Sequence, residues 1–200
     1  MANTHCRLLG CGILQKEVCY LIQENGWPLD TDFLDSSLHV NFEQLALELQ
    51  KGFLRNKARE IVVFYGCCHP YMEHMLASAQ TFRTEGQNCI EMLLGRELFI
   101  EKLSGGAFFL LEDWALRWDE VTGKTFGNNP DVVREIFQLS SRYLLCLRTP
   151  CSGDFECAAQ EVSEKVGLPV SSMDVGLEHL EKVLRQAVER KLLMADESGG

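Results

Sequence analysis

Short apolar runs alternate with segments of helical spacing along the chain, and this alternation limits the fold more than any other feature of the sequence. The clearest run, residues 60–66, is apolar and rich in β-branched side chains, as is typical of a strand buried on both faces of a parallel sheet. Residues 177–193 instead repeat leucine and valine on one helical face. Because the alternation repeats six or seven times, it predicts an α/β fold. We expect a doubly wound, mostly parallel sheet with helices on both faces.

The remaining elements are predicted from weaker patterns and from residues that begin or end helices. Gly26-Trp27-Pro28 predicts the end of a first helix over residues 13–25. Asn41 is the expected N-cap of the next helix. The other predicted strands are 5–9, 31–38, 80–84, 107–111, 143–147 and 168–173, and the other predicted helices are 70–79, 89–94, 131–139 and 154–166.

Size and composition indicate an ordinary globular protein. Its 200 residues are 46% hydrophobic and 24% charged. We expect a single α/β domain over residues 1–194 and a disordered tail over residues 195–200. No apolar stretch reaches the roughly 18 residues that a membrane-spanning helix needs, and no secretory signal is visible. These features predict a cytoplasmic protein.

The charge balance narrows the class of partner. The chain has 19 basic and 29 acidic residues, a net charge of −10. A nucleic-acid binder needs a basic face to neutralise phosphates, and an anionic membrane surface repels an acidic protein. We therefore expect neither nucleic acid nor membrane as a partner, which leaves a small molecule, a metal or another protein.

Nine cysteines are unusual for a chain of this kind. Their odd number, the size of the chain and the lack of an export signal favour reduced thiols over a disulfide scaffold. A reduced cysteine is a small buried hydrophobe, a metal ligand or a redox thiol. Cys19 lies on a predicted helix face and Cys146 lies within a predicted strand, so both are expected in the core, as is Cys6.

Other cysteines follow predicted strands. Cys11 follows the first strand, Cys67 and Cys68 follow the clearest strand, Cys89 begins a helix, and Cys151 follows the strand 143–147. The ligand crevice of an α/β sheet lies at the carboxyl ends of its strands, so these thiols are expected along one sheet edge. Thiolate is the soft ligand that selects zinc, copper(I) and iron–sulfur clusters. Burial in the core is the competing interpretation for each of them.

Residues beside these cysteines are candidates for contacts with a cofactor. Gly10, Gly12 and Gly66 would let the backbone approach a bulky group closely. His39, which is expected to close the second strand, is a further candidate near the same edge. His69 follows the cysteine pair and is a candidate ligand or acid–base group, while capping of the following helix explains it equally well.

Several segments together resemble a known family. These segments are Leu9-Gly10-Cys11-Gly12-Ile13-Leu14, Leu38-His39, Tyr65-Gly66-Cys67-Cys68, residues 88–95, and residues 108–114. Over residues 6–190 the chain resembles a domain of unknown function typical of methanogens and anaerobic methylotrophs, often encoded near corrinoid-dependent methyltransferases. The resemblance implies one cysteine in each of the first, third and fourth strand-end motifs, which are Cys11, Cys68 and Cys89 here. This chain departs from the family pattern by adding Cys67, by placing His69 where the family has glycine, and by having Gly86-Gln87-Asn88 in place of Cys-His-Asp.

Three functional hypotheses follow. The first is a metal- or iron–sulfur-cluster-binding protein with Cys11, Cys68 and Cys89 as ligands, zinc or a corrinoid-related group being the alternative cofactors. By association this hypothesis places the chain in methyl metabolism, with a corrinoid methyltransferase protein as a partner. The second is a metal-free thiol enzyme with Cys67 and His69 as catalytic residues. The third is a non-catalytic accessory protein of a methyltransferase system.

Overall fold

The computed structural model describes residues 6–56, 61–127 and 129–198, with side chains described as far as residue 194. In these residues the strands form two three-stranded sheets, and every strand pair is parallel. The strands are β1 Cys6–Cys11, β2 Leu29–Leu34, β3 Ile61–Phe64, β4 Ala107–Leu110, β5 Tyr143–Arg148 and β6 Val170–Asp174.

The described residues also form ten α-helices and two 3-10 helices. The α-helices are α1 Gln15–Asn25, α2 Phe42–Arg55, α3 Met72–Ser78, α4 Cys89–Leu94, α5 Arg96–Ser104, α6 Glu112–Leu116, α7 Trp118–Phe126, α8 Pro130–Ser140, α9 Glu156–Val166 and α10 Glu178–Ser198. The 3-10 helices are Gly12–Leu14 and Ser36–Val40. None of the described helices is both long and apolar enough to span a membrane.

The chain divides into two compact units. Unit 1 consists of Met1–Leu93 and Glu178–Gly200, and unit 2 consists of Leu94–Leu177. Unit 1 therefore contains the sheet β2-β1-β3, and unit 2 contains the sheet β4-β5-β6.

The unit 1 sheet is covered on both faces. Leu8 and Leu9 are neighbours on β1, so their side chains leave the sheet on opposite faces, and both are fully buried. All four residues of β3 are buried as well. From β1 the chain goes to β2 on one side and then crosses to β3 on the other side of β1. The winding thus reverses between β1 and β3, which makes the carboxyl ends of these two strands a topological switch point.

Local sequence signals explain where the first helices of unit 1 begin and end. Gly26 adopts a left-handed conformation with φ 60°, and its N–H donates to the carbonyl oxygen of Gln23, which ends α1. The Asn41 side chain accepts a hydrogen bond of 3.0 Å from the backbone N–H of Gln44 and caps α2. Both signals were predicted from the sequence and are confirmed.

Unit 2 has its own core beneath β4 and β5. Phe137 of α8 packs edge-on against Phe108 of β4, with ring centroids 4.8 Å apart, and Trp118 of α7 lies 5.2 Å from Phe137. Leu144 and Cys146 of β5 are buried in the same cluster. Aromatic rings in edge-to-face contact contribute more than their buried area alone.

The structure confirms the predicted class, an α/β protein built on parallel strands, and corrects some details. The strands form two sheets instead of one, because β5 pairs with β4 on one side and with β6 on the other, and these three strands form a sheet of their own. The second strand ends at Leu34, and the 3-10 helix Ser36–Val40 replaces its predicted second half. The Asp35 side chain accepts hydrogen bonds from both the backbone N–H and the hydroxyl of Ser37, and this turn ends the strand.

Three other predictions concern residues 80–84, the number of domains and the C-terminal tail. Residues 80–84 form a single bridge, between Val63 and Arg83, in place of the predicted strand. The division into two compact units does not test the predicted single domain over residues 1–194, which stays a prediction. The predicted tail, 195–200, overlaps α10, which continues to Ser198, and its last two residues lie outside the described part of the chain.

Candidate functional site

The pairing of β1 with β3 places the first two groups of the site. Gly10 of β1 is paired with Phe64 of β3, so Cys11 and Tyr65 stand one residue further along their strands at the switch point. Cys67 and Cys68 follow Tyr65 after one residue, Gly66. Residues from two neighbouring strand ends therefore meet at this edge of the sheet, as the sequence predicted.

Close backbone contact brings a third segment into the site. A Cβ atom at Gly66 would lie 2.2 Å from the carbonyl oxygen of Gln87, so the two backbones touch where glycine has no side chain. The N–H of Cys67 donates to that same oxygen at 2.7 Å. This contact fixes the loop before α4 and brings Cys89, the first residue of α4, to the site.

Cys11 and Cys89 form a buried pair. Only 5% of Cys11 and 8% of Cys89 are exposed. Their side chains are hydrogen-bonded, and this bond, ahead of burial, raises the pKa of Cys89 well above its ordinary value. Cys68 is half-buried, and its pKa is raised to about 11, first by burial and then by the neighbouring Cys11. The three thiols thus influence one another through a shared buried environment.

Tyr65 lies among these thiols. Its side chain is 1% exposed, and among the described residues its hydroxyl has no hydrogen-bond partner. Burial raises the pKa of Tyr65, and the neighbouring Cys11, Cys89 and Cys68 raise it further, in that order. The hydroxyl group is therefore close enough to all three thiols to interact with their charges.

Cys67 lies at the exposed rim of the site, where Arg83 contacts it. Nη2 of Arg83 donates to the Cys67 sulfur at 3.1 Å. The same guanidinium donates through Nε to Glu73 at 2.7 Å and through Nη1 to the carbonyl oxygens of Thr84 and Gly86. Because it has four partners, the guanidinium is held in one orientation against Cys67.

His69 is buried between two exposed aromatic rings. Its Nδ1 accepts a hydrogen bond of 2.9 Å from the backbone N–H of Tyr71, so the neutral ring carries its proton on Nε2. Phe42 lies edge-on to it with centroids 5.7 Å apart, and the ring of Tyr71 is 5.9 Å away. His69 therefore has Nε2 as its remaining polar atom.

The residues predicted to contact a cofactor pack closely against other residues of the chain. His39 lies in a 3-10 helix, where its Nδ1 donates to the carbonyl oxygen of Ser36 at 2.8 Å, and burial lowers its pKa. A Cβ atom at Gly10 would meet Leu8 and Phe64 at 3.1 Å, and one at Gly12 would lie 2.9 Å from the Leu34 carbonyl oxygen. Close packing thus accounts for Gly10, Gly12 and Gly66, and their contact with a cofactor stays a prediction.

The sulfurs converge without forming a complete coordination shell. Among the described residues, no group of three or more His, Cys, Asp or Glu side chains is close enough together to hold a metal ion. The donor chemistry nevertheless fits a soft metal, because two thiols are in contact, a third is near, and a buried hydroxyl without a partner points among them. Binding by all three therefore requires at least one sulfur to move from its position in the structure.

The other cysteines divide as follows. Cys6 and Cys146 are buried, as predicted, whereas Cys19 is exposed on α1, so its predicted place in the core is wrong. Cys151 follows β5, which belongs to the other sheet, and its N–H donates to the Thr149 hydroxyl. The expectation that Cys151 shares a sheet edge with Cys11 is therefore wrong, because β5 does not pair with β1 or β3.

Sequence reasoning missed Tyr65 and Arg83. Tyr65 directly follows an apolar strand and was counted with it, although a hydroxyl-bearing ring just before Gly66 and the cysteine pair is a detectable signal. Arg83 contacts Cys67 from 16 residues away, and no local pattern indicates that contact.

The chain is thus an α/β protein with a cluster of thiols at a topological switch point. Residues 33–184 match the family described as "Protein of unknown function (DUF1638)", and the chain belongs to that family. The matched range includes Cys68 and Cys89 and begins after Cys11. Comparisons with curated proteins and with solved structures gave no match.

Proposed function

We propose that the chain binds a metal through the thiolates of Cys11, Cys68 and Cys89 at the carboxyl ends of β1 and β3. The observation that carries this proposal is the convergence of thiols from three separate segments around a buried hydroxyl. Three protein ligands leave a fourth position open, the arrangement found where a metal takes part in chemistry.

The contact between Cys11 and Cys89 favours a single ion. Two thiolates on a tetrahedral zinc ion, at a Zn–S distance of about 2.3 Å, have sulfurs about 3.8 Å apart. The side chains of Cys11 and Cys89 are hydrogen-bonded, which brings their two sulfurs close together. Cysteines that ligate different irons of a cluster are further apart, because an iron–iron edge separates them. Zinc or a similar soft ion thus fits the pair better than an iron–sulfur cluster.

The residues around the ligands have separate parts in this proposal. Gly66 and Gln87 hold the two ligand segments against each other, and Arg83 fixes Cys67 at the rim. A bound zinc ion would supply a thiolate-rich Lewis acid that activates a thiol or a carbonyl group. Cys67, His69 and an external ligand are the candidates for the fourth position.

The metabolic role rests on the resemblance. The association with corrinoid-dependent methyltransferases supports a role in methyl metabolism, with a corrinoid methyltransferase protein as partner. Methyl transfer to or from a thiol is the chemistry that thiolate-bound zinc would serve. A cytoplasmic location is part of the same proposal.

The proposal is tested by purifying the full chain anaerobically and measuring iron, zinc, cobalt and acid-labile sulfide. We expect about one zinc ion per chain and no sulfide. Cys11→Ser should lose the metal, whereas Cys6→Ser, a change to a buried cysteine at the other end of the same strand, should keep it. Iron with stoichiometric sulfide would show that the site holds an iron–sulfur cluster instead of a zinc ion. A chain that binds none of these after reconstitution would contradict the proposal.

The contact between Arg83 and Cys67 favours a second candidate, a metal-free thiol enzyme. Cys67 is exposed, its sulfur accepts from a fixed guanidinium, and Cys68 is next to it as a resolving thiol. This candidate predicts that iodoacetamide modifies Cys67 several times faster than the exposed Cys19 in the metal-free chain, and that Arg83→Ala removes the difference. Equal rates at Cys67 and Cys19 would exclude it.

A further inference from the structure

Coordination by three cysteines leaves one group of the thiol site without a role, the hydroxyl of Tyr65. The side chain is fully enclosed, and among the described residues its oxygen has no hydrogen-bond partner. Buried hydroxyl groups nearly always have a partner, and an exception calls for a physical explanation. A donor held among three thiols can find its acceptor once one of them becomes a thiolate.

The charge of a metal-loaded site explains why a donor is needed there. Three thiolates on a divalent ion leave one excess negative charge, and the Asp35 carboxylate also acts on Tyr65. Hydrogen bonds to ligand sulfurs offset such charge and orient the ligand. Arg83 is nearby, but its guanidinium donates to Cys67, Glu73 and two carbonyl oxygens.

Cys11 is the thiol best placed to accept. Cys11 and Tyr65 each stand one residue beyond the paired residues Gly10 and Phe64 of adjacent strands. Among the thiols around Tyr65, Cys11 has the largest electrostatic effect on it. The two side chains are therefore neighbours across the ladder at the switch point.

We propose that Tyr65 is a positioning residue whose hydroxyl donates a hydrogen bond to the Cys11 sulfur when Cys11 ligates the metal. The bond orients this thiolate and offsets part of the excess charge. The inference rests on the proposed function and adds to it a group that touches the ligand instead of the metal.

Tyr65→Phe tests the inference in the full chain loaded with cobalt(II), a coloured substitute for zinc. We expect metal affinity, measured by competition with a chelator, to fall about tenfold. The sulfur-to-cobalt charge-transfer band should shift to longer wavelength, because the thiolate loses a stabilising hydrogen bond. The metal-free variant should unfold at the same or a higher denaturant concentration, because the structure shows no hydrogen bond lost with this hydroxyl.

Tyr71→Phe is the matched control, because it removes an exposed hydroxyl from the same unit. Its affinity and spectrum should equal those of the wild type. A Tyr65→Phe variant with wild-type affinity and an unshifted band would overturn the inference, even if Cys11→Ser still abolished metal binding and the proposed function stood. Destabilisation of the metal-free variant would also overturn it, because the hydroxyl would then have a structural role. A wild-type chain that binds no metal would overturn both proposals.

Discussion

The two sheets of this protein are alike in their parallel strands and differ in strand order. Both have three parallel strands, but unit 1 has the order β2-β1-β3, whereas unit 2 has the sequential order β4-β5-β6. In unit 1 the winding reverses, so the loops after β1 and β3 leave in opposite directions, which is the arrangement at which α/β sheets bind their ligands. In unit 2 the winding continues in one direction. The difference in topology explains why the thiol site lies in unit 1.

The polar groups at the two carboxyl edges differ accordingly. In unit 2, Arg148 forms two hydrogen bonds with Asp174, at 2.9 and 3.1 Å, and the hydroxyls of Thr149 and Ser152 are 3.1 Å apart. These groups satisfy one another. In unit 1 the Tyr65 hydroxyl has no partner among the described residues. The unpartnered buried hydroxyl in unit 1 indicates a place for a ligand.

The largest expected effect is on metal affinity, which should depend on a cysteine at the unit 1 edge and not on a cysteine at the unit 2 edge. Cys89→Ser should weaken metal binding at least a hundredfold, because a ligand thiolate is lost. Cys151→Ser, at the corresponding edge of unit 2, should leave it unchanged. Isothermal titration of zinc into both variants measures the difference. Equal loss in the two variants would mean that the topology does not define the site.

Alanine substitutions at Gly66 in unit 1 and at Gly153 in unit 2 test how tightly the two edges are packed. Gly66→Ala should cost about 3 kcal/mol, because its Cβ would meet the backbone of Gln87 at 2.2 Å, and a backbone atom cannot move aside. Gly153→Ala should cost less than about 0.5 kcal/mol, since its Cβ would meet only the carboxylate end of Glu112 at 2.8 Å. Urea unfolding measures both. If Gly153→Ala proved the more damaging change, the tight contact at Gly66 would be disproved.

Alanine substitutions at Arg83 in unit 1 and at Arg148 in unit 2 should show a smaller difference in the free energy of unfolding. Arg83→Ala should cost about 1–3 kcal/mol, because its side chain is 17% exposed and the change leaves several acceptors unpaired. Arg148→Ala should cost about 0–1 kcal/mol, because that side chain is 49% exposed and its ion pair is solvated. Chemical denaturation of each variant checks this order. Equal costs would show that the Arg83 cluster does not strengthen unit 1.

The smallest effect concerns pH. Burial lowers the pKa of His39, so below about pH 6.5 the unfolded chain binds a proton that the folded chain does not. Stability should therefore decrease by a fraction of a kcal/mol as the pH falls through this window. Residues 94–177 contain no histidine, so the effect belongs to unit 1. His39→Gln should make the decrease between pH 7.5 and pH 5.5 shallower, and an unchanged slope would assign it to other groups.

Local signals made part of the fold predictable. The apolar run at residues 60–66 predicted β3, and Gly26 and Asn41 marked helix boundaries, because each acts on its immediate neighbours. The division into two sheets was not predictable, since strand pairing depends on contacts far apart in the sequence. The predicted second strand is too long because the sequence pattern does not indicate the turn in which Ser37 donates hydrogen bonds to Asp35.

The site, like the fold, was predictable only where local sequence signals determine it. Placing Cys11 and Cys68 after strands required only that the strands be recognised. The contact of Cys89 with Cys11 depends on the packing of Gln87 over Gly66, which no sequence pattern shows. The exposure of Cys19 was missed because helical spacing alone does not decide which face of α1 is buried.

The most direct test of the account is X-ray absorption at the metal edge of the zinc-loaded, full-length chain. The account predicts at least three sulfur atoms at about 2.3 Å from the metal, the fourth position going to Cys67, His69 or an external ligand. It also predicts one sulfur fewer in Cys68→Ser than in the wild type, if that variant retains the ion. A first shell of nitrogen and oxygen atoms alone, or an unchanged number of sulfurs in Cys68→Ser, would contradict the assignment of Cys11, Cys68 and Cys89 as ligands.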